Sequence, residues 1–317
     1  MRIVYMGTPE FAVAPLNAIV NAGHDVAAVV TVPDKPAGRG LAMSESAVKK
    51  YSIKNNLCIL QPNRLKENDF INQLQNLHAD VFVVVAFRML PTEVWKIPPK
   101  GCINLHASLL PQYRGAAPIN HAIINGEEVS GVTTFFINEN IDTGNIIFKR
   151  EVRIESCDNA GTLHDKLMSA GSTLLVDTLK AIEQNTVTPI PQSFVILGEK
   201  TLKTAPKIFR ENCKIHWNMP AEAIYNFIRG LSPYPGAFSH LTDKHGNSKI
   251  CKIFESTFSI EQHKHYPGTI ITDNNNYIQV AVQNGFINLL NIQTEGKKRM
   301  NTPDFLRGNS LYGLKFE

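Results

Sequence analysis

Asn104 and His106 lie two residues apart in the segment Gly101-Cys-Ile-Asn-Leu-His-Ala-Ser-Leu-Leu-Pro-Gln-Tyr-Arg-Gly-Ala-Ala-Pro118. On a predicted strand over 102–106 both side chains leave one face, and Ile103 and Leu105 pack on the other. An amide donor and an imidazole can stabilise a developing oxyanion, and the imidazole can relay a proton. The same pair also reads as two hydrogen-bonded residues at a strand end. Asp142, in Asn138-Glu-Asn-Ile-Asp-Thr-Gly144, follows another predicted strand. If the two strands are neighbours, its carboxylate can reach His106 and support the imidazolium. In isolation Asp-Thr-Gly equally reads as an Asx-type turn. Together the three residues point to group transfer without a nucleophilic Ser or Cys.

The elements that must position these residues alternate. Apolar runs at 3–6, 26–32, 80–86, 102–106, 131–137 and 146–154 predict strands. The run at 80–86 is almost wholly apolar, as for a parallel strand covered on both faces. Helical spacing appears over 9–21 and over 162–184, the latter with Leu163, Leu167, Leu174, Leu175, Leu179 and Ile182 on one side. This alternation predicts an α/β fold with an open, mostly parallel sheet, whose ligands bind beyond the carboxyl ends of the strands. The turn Met6-Gly-Thr-Pro-Glu10 has one glycine and a stiffening proline where a dinucleotide fold has GxGxxG, which argues against a nicotinamide dehydrogenase. Periodicity fades near residues 185–209, where Pro189, Pro191 and Pro206 fall. We read domains at 1–189 and 210–317 joined by a linker at 190–209. Beyond it come a helical segment over 220–229 and short alternating runs at 237–241, 249–254, 268–271, 278–281 and 286–292. Such runs, separated by Asp, Asn and Gly turns, predict a smaller β-barrel or sandwich.

A chain of 317 residues, 43% hydrophobic and 19% charged, can bury a core without staples. No run of about 18 apolar residues occurs, so no membrane helix is expected. The N-terminus lacks a signal-peptide pattern, and a cytoplasmic location is expected. Five scattered cysteines without CxxC spacing fit reduced thiols, and no set of ligands has metal-binding spacing, so no metal is expected. Residues 1–190 carry 17 Lys and Arg against 18 Asp and Glu, for −1, whereas residues 191–317 carry 15 against 10, for +5. The basic last third permits a polyanionic partner.

Asn104-x-His106, Ser108-Leu-Leu-Pro111, Arg114-Gly-Ala-Ala-Pro-Ile119 and Asp142-x-Gly144 resemble, in type, order and spacing, the 10-formyltetrahydrofolate-dependent formyltransferase family. Met6-Gly-Thr-Pro-Glu-Phe11, Pro33-Asp-Lys-Pro-Ala-Gly-Arg-Gly40, Gly161-Thr-Leu-x-Asp-Lys-Leu167, Ile215-x-Trp217, Ile287-x-Leu-Leu290 and Gly296-Lys-Lys-x-Met300 extend the resemblance along the chain. Within the family it is closest to the branch whose acceptor is initiator methionyl-tRNA.

The resemblance implies a Rossmann-like catalytic domain and an OB-fold-like β-barrel domain. It also implies formyl transfer from 10-formyltetrahydrofolate to the α-amino group of methionine on the initiator tRNA. Asn104, His106 and Asp142 are then the catalytic residues, and Ser108, Leu109, Leu110 and Pro111 contact the folate. The stretch Ala86-Phe-Arg-Met-Leu-Pro91 is one residue shorter than the family's Ala-Tyr-Gly pattern, with Arg88 where a glycine is usual. Phe87, Arg88 and Met89 are expected to border the pterin. Lys35 and Arg39 match the family's insertion that meets the acceptor stem. Lys207, Lys297 and Lys298, with Lys203 and Arg299, could track phosphates; a solvated basic surface is the other reading of all these cations. A monomer without membrane contact is expected. The rival readings are a sister enzyme formylating a sugar nucleotide or other small amine, a tRNA-binding protein without catalysis, and folate hydrolysis without an acceptor.

Overall fold

The computed structural model describes residues 1–37, 42–196 and 201–317. The chain divides into two compact units, one of Met1–Gly115, Val129–Arg153 and His164–Ala205, the other of Ala116–Glu128, Ile154–Leu163 and Pro206–Glu317.

The first unit is built on a seven-stranded sheet. Its strands are β1 (Arg2–Gly7), β2 (Asp25–Val30), β3 (Ile59–Leu60), β4 (Val81–Val85), β5 (Cys102–His106), β6 (Val129–Phe136) and β7 (Ile146–Arg153). They lie in the order β3-β2-β1-β4-β5-β6-β7. Pairing is parallel from β3 through β5 and antiparallel from β5 to β7. The sheet is therefore mostly parallel, as the alternating runs predict, with a reversal of winding between β1 and β4. All five residues of β4 are buried, because helices cover both faces of a parallel sheet. One core packs Val4, Met6, Phe82 and Val84 against Phe70 and Leu74 of the helix Asn68–Asn76. The long helix Ala160–Glu183 buries the predicted stripe Leu167, Leu174, Leu175, Leu179 and Ile182. A buried hydroxyl pair, Thr134 Oγ1 to Thr178 Oγ1 at 2.8 Å, ties β6 to that helix.

The second unit is antiparallel. Its strands β8 (Ala237–Thr242), β9 (Ser248–Ile260), β10 (Ile270–Thr272), β11 (Ile278–Val282), β12 (Gly285–Thr294) and β13 (Lys315–Phe316) follow the order β10-β11-β12-β9-β8-β13. The two edges meet through a Thr269–Lys315 bridge and the Phe316 N–H to Gly268 carbonyl bond of 3.0 Å, which closes the sheet into a near-barrel. Closure removes the unpaired edges that a small sheet would otherwise expose. The helix Ala221–Gly230 buries Ala221, Ile224 and Ile228 in a core shared with Trp217, Ile253 and Ile287. The Trp217 indole N–H donates to Ser239 Oγ at 2.8 Å, so its polar edge is satisfied where it is buried.

No described helix is long and apolar enough to cross a membrane.

Candidate active site

Asn104 and His106 leave β5 on the same face, as their spacing predicts, with Ile103 and Leu105 buried on the other. His106 is buried. Its Nε2 lies 2.9 Å from the Tyr113 carbonyl oxygen, and a carbonyl only accepts, so Nε2 carries a proton. Nδ1 faces Asp142 Oδ2 at 3.8 Å. The half-buried Asn104 carboxamide makes no hydrogen bond among the described residues, so its donors are available to a ligand.

Asp142 reaches His106 by a loop that doubles back. β6 runs antiparallel to β5 and ends at Phe136, opposite Ile103, three residues from His106. The return is permitted by Gly144, whose hypothetical Cβ would stand 1.6 Å from the Phe136 carbonyl oxygen. Asp142 itself takes a left-handed φ of +53°. Its Oδ2 accepts the Gly115 N–H at 2.9 Å.

The segment 112–115 is held from outside. Tyr113 N–H donates to the Lys203 carbonyl at 2.7 Å, and Arg114–Gly115 pairs in parallel with Thr204–Ala205. A Cβ on Gly115 would lie 2.4 Å from the Ala205 oxygen. Burial pulls the pKa of the Arg114 guanidinium down, and the nearby Asp142 charge opposes that shift.

The Ser108–Pro111 stretch is committed to its own fold. Ser108 Oγ donates to the Gln112 carbonyl at 2.7 Å. Thr133 Oγ1 donates to the Ser108 carbonyl at 2.6 Å and accepts the Leu110 N–H at 3.1 Å. Leu110 is buried against Phe135 and Ile146, whereas Leu109 lies over Gly131. After β4, Ala86 takes φ +47°. Phe87 packs on the core of the sheet and Met89 is 71% exposed. Arg88 donates to the Pro62 and Asn63 carbonyls at 2.5 and 3.0 Å, so it braces a neighbouring loop. Its guanidinium lies 5.6 Å from the Phe87 ring centroid, and burial lowers its pKa.

The chain's N-terminal part, residues 1–179, matches the family model described as formyl transferase, and residues 207–310 match the model of the formyl transferase C-terminal domain. The chain belongs to the formyl transferase family. A methionyl-tRNA formyltransferase of Bacteroides thetaiotaomicron is 51% identical over 312 residues, which cover 98% of this chain and 96% of that protein. Among solved structures, an N-formyltransferase from Helicobacter canadensis in complex with folinic acid and dTDP-3-aminofucose gives a TM-score of 0.59 at 22% identity, covering 90% of this chain and 97% of that one. HypX from Aquifex aeolicus with tetrahydrofolic acid gives 0.62 at 17% identity. It covers 98% of this chain, which spans about half of HypX (47%). At these identities the two structures bear on the fold alone.

Against this formyl transferase frame, the cations expected at RNA are spread over both units. Lys35 is exposed at the start of the short strand Lys35–Ala37, which pairs with Ala42–Ser44. Arg39 lies outside the described residues. Lys297 and Lys298 are exposed in the turn after β12. Lys207 is exposed with Nζ 5.3 Å from the Phe209 ring centroid. Arg299 is engaged in the fold, 4.4 Å from the Phe254 ring centroid and bonded to Asn291 and Glu255.

Sequence reasoning missed Gln192 altogether. It opens the helix Gln192–Ile196 inside the stretch read as a linker, and bonds the Asp142 and Gly144 carbonyls. A glutamine beside Pro191 in a segment without periodicity carries no signal of its own; the partners that give it meaning are 50 and 48 residues away.

Proposed function

We propose that this chain transfers the formyl group of 10-formyltetrahydrofolate to the α-amino group of methionine on the initiator tRNA. The observation that carries the reading is Asn104 and His106 on one face of β5, with Asp142 Oδ2 3.8 Å from His106 Nδ1. The near-full-length identity to the Bacteroides thetaiotaomicron enzyme supports the acceptor. The donor is supported by the family match, and by the folates bound in the HypX and Helicobacter canadensis structures, which share the fold.

The neutral amine attacks the formyl carbon, forming the new C–N bond and a tetrahedral oxyanion. Asn104 donates an N–H to that oxygen, a contact strengthened as charge develops. His106 holds one proton on Nε2 against the Tyr113 carbonyl, so Nδ1 is the nitrogen left to exchange protons. It takes the proton lost by the amine, and Asp142 stabilises the resulting imidazolium. Collapse of the intermediate breaks the bond from carbon to N10 of the folate, and the proton from Nδ1 passes to that nitrogen. Ser108 to Pro111, with Phe87, Arg88 and Met89, would line the folate side. Lys35, Arg39, Lys207, Lys297 and Lys298 would meet the tRNA. The catalytic work falls to 1–189, and 210–317 is a tRNA-binding domain that acts together with Lys35, Arg39 and Lys207, in a cytoplasmic monomer.

An acceptor comparison tests the reading. Labelled 10-formyltetrahydrofolate is offered with charged initiator methionyl-tRNA, uncharged tRNA, free methionine or an amino-sugar nucleotide. Label moving only to the charged tRNA is the expected result. Transfer to the sugar, or formate release without any acceptor, defeats it.

A further inference from the structure

Gln192 is 2% exposed, and each hydrogen-bonding valence of its carboxamide is used. Nε2 donates to the Asp142 carbonyl and to the Gly144 carbonyl, both at 2.9 Å. Oε1 accepts from Arg114 Nε at 3.1 Å and from Arg114 Nη2 at 2.6 Å. Carbonyls only accept and a guanidinium only donates, so the partners dictate which end of the amide is nitrogen.

The grip falls on the residue that most needs it. Asp142 is a non-glycine residue at positive φ, a conformation that persists only when the surroundings over-determine it. The neighbouring side-chain bonds of its loop are internal: Asn140 N–H and Thr143 Oγ1 both donate to Asn138 Oδ1. Gln192 fixes the backbone on either side of Thr143 to Arg114, whose neighbour Gly115 supplies the N–H bound by Asp142 Oδ2. Backbone and carboxylate of Asp142 are thus referred to one frame, Arg114–Gly115, which itself follows the Tyr113 carbonyl on His106 Nε2.

We propose that Gln192 is a positioning residue for formyl transfer: by holding the Asp142 and Gly144 carbonyls, with its orientation locked by Arg114, it sets the Asp142 carboxylate against His106. The inference rests on the formyl-transfer reading of this site. Gln192→Glu keeps an acceptor for Arg114 and replaces the two N–H donors with an oxygen facing two carbonyls. Gln192→Met removes both sets of bonds at similar volume.

The test is a mutant cycle in the full-length chain. Wild type, Q192E, Q192M, D142N, Q192E/D142N and Q192M/D142N are assayed for formyl transfer to charged initiator tRNA, with folding checked by near-ultraviolet circular dichroism. Q192E is expected to lose kcat by tenfold or more, toward the roughly hundredfold cost of about 1 Å of misplacement. KM for folate and for tRNA should stay within about twofold of wild type. On the D142N background the same change should cost nothing further, because the residue being positioned is already disabled. If Q192E does not fold, Q192M gives the same readout without an added charge. Wild-type kcat in the variants, a loss confined to KM, or an equal fractional loss on the D142N background overturns the proposal. No transfer by the wild-type chain defeats the formyl-transfer reading instead, so the two failures are told apart.

Discussion

Asn104 and His106 sit on one face of one strand yet differ in what the protein has already done with their polar atoms. The imidazole has one nitrogen bound to a backbone carbonyl and the other turned to a carboxylate; the amide makes no hydrogen bond among the described residues. Asn104→Ala is therefore expected to remove an oxyanion donor while leaving no partner stranded. Its kcat should fall by about 10²–10³, with an unchanged urea midpoint. His106→Ala should cost about 10²–10⁴ in kcat, and it removes the buried bond from the imidazole to the Tyr113 carbonyl, so a lower urea midpoint is expected as well. Steady-state transfer and urea denaturation on the same preparations separate the two signatures. These side chains were legible in the sequence because period-two geometry alone places both on one face. Asp142 was legible only as a candidate, since its approach depends on a loop that reverses direction at Gly144. Gln192 was not legible, because a fully bonded amide is defined by partners remote in the chain.

At the scale of elements, six of the seven strands of the first sheet announced themselves as apolar runs, whereas the two-residue β3 and the antiparallel end of the sheet did not. A buried run such as 81–85 is apolar whichever way its neighbour runs, so the reversal at β6 could not be read from composition. That reversal is what makes Gly144 necessary. Gly144→Ala would set a methyl 1.6 Å from the Phe136 oxygen, so the loop must move away from β6. We expect kcat to fall at least tenfold and stability to drop by about 1–3 kcal/mol, measured by transfer assay and by urea unfolding.

The hairpin of Lys35–Ala37 and Ala42–Ser44 offers a pH test. Lys49 pairs with Asp34 on one side of it and Glu45 on the other. Hydrogen bonds from Lys49 and then Gln61 hold the Asp34 carboxyl below its ordinary range, and the bond to Asp34 raises the Lys49 pKa. A depressed carboxyl contributes stability that is present above its unfolded value and lost as pH falls through the folded one. A raised lysine contributes stability present below its unfolded value and lost as pH rises through the folded one. Amide protection in the hairpin should therefore weaken below about pH 4, and Lys49→Met should flatten that dependence. A wild-type acid response in Lys49→Met would show that the pair does not hold the hairpin.

For the whole molecule the decisive property is where charge accumulates. Residues 191–317 carry +5 and residues 1–190 carry −1, so a long-range attraction for a polyanion belongs to the later part of the chain. Charge count alone does not say which cations meet phosphates, and the packing separates them. Arg299 is exposed as well, but its guanidinium lies over Phe254 and bonds Asn291 and Glu255; Lys297 and Lys298 stand exposed in the turn beside it. A phosphate contact releases counterions and contributes about 0.7–0.9 to the slope of log affinity against log salt. The double substitution Lys297→Gln, Lys298→Gln should therefore reduce that slope by roughly 1.4–1.8 for charged tRNA, with folate KM and the urea midpoint unchanged. Arg299→Gln should do the reverse, lowering the urea midpoint with little effect on the slope, because its charge is already engaged within the fold. KM for tRNA measured between about 50 and 200 mM salt distinguishes the two. A slope unaltered by the lysine pair would mean that the turn is a solvated surface and that RNA is held elsewhere on the protein.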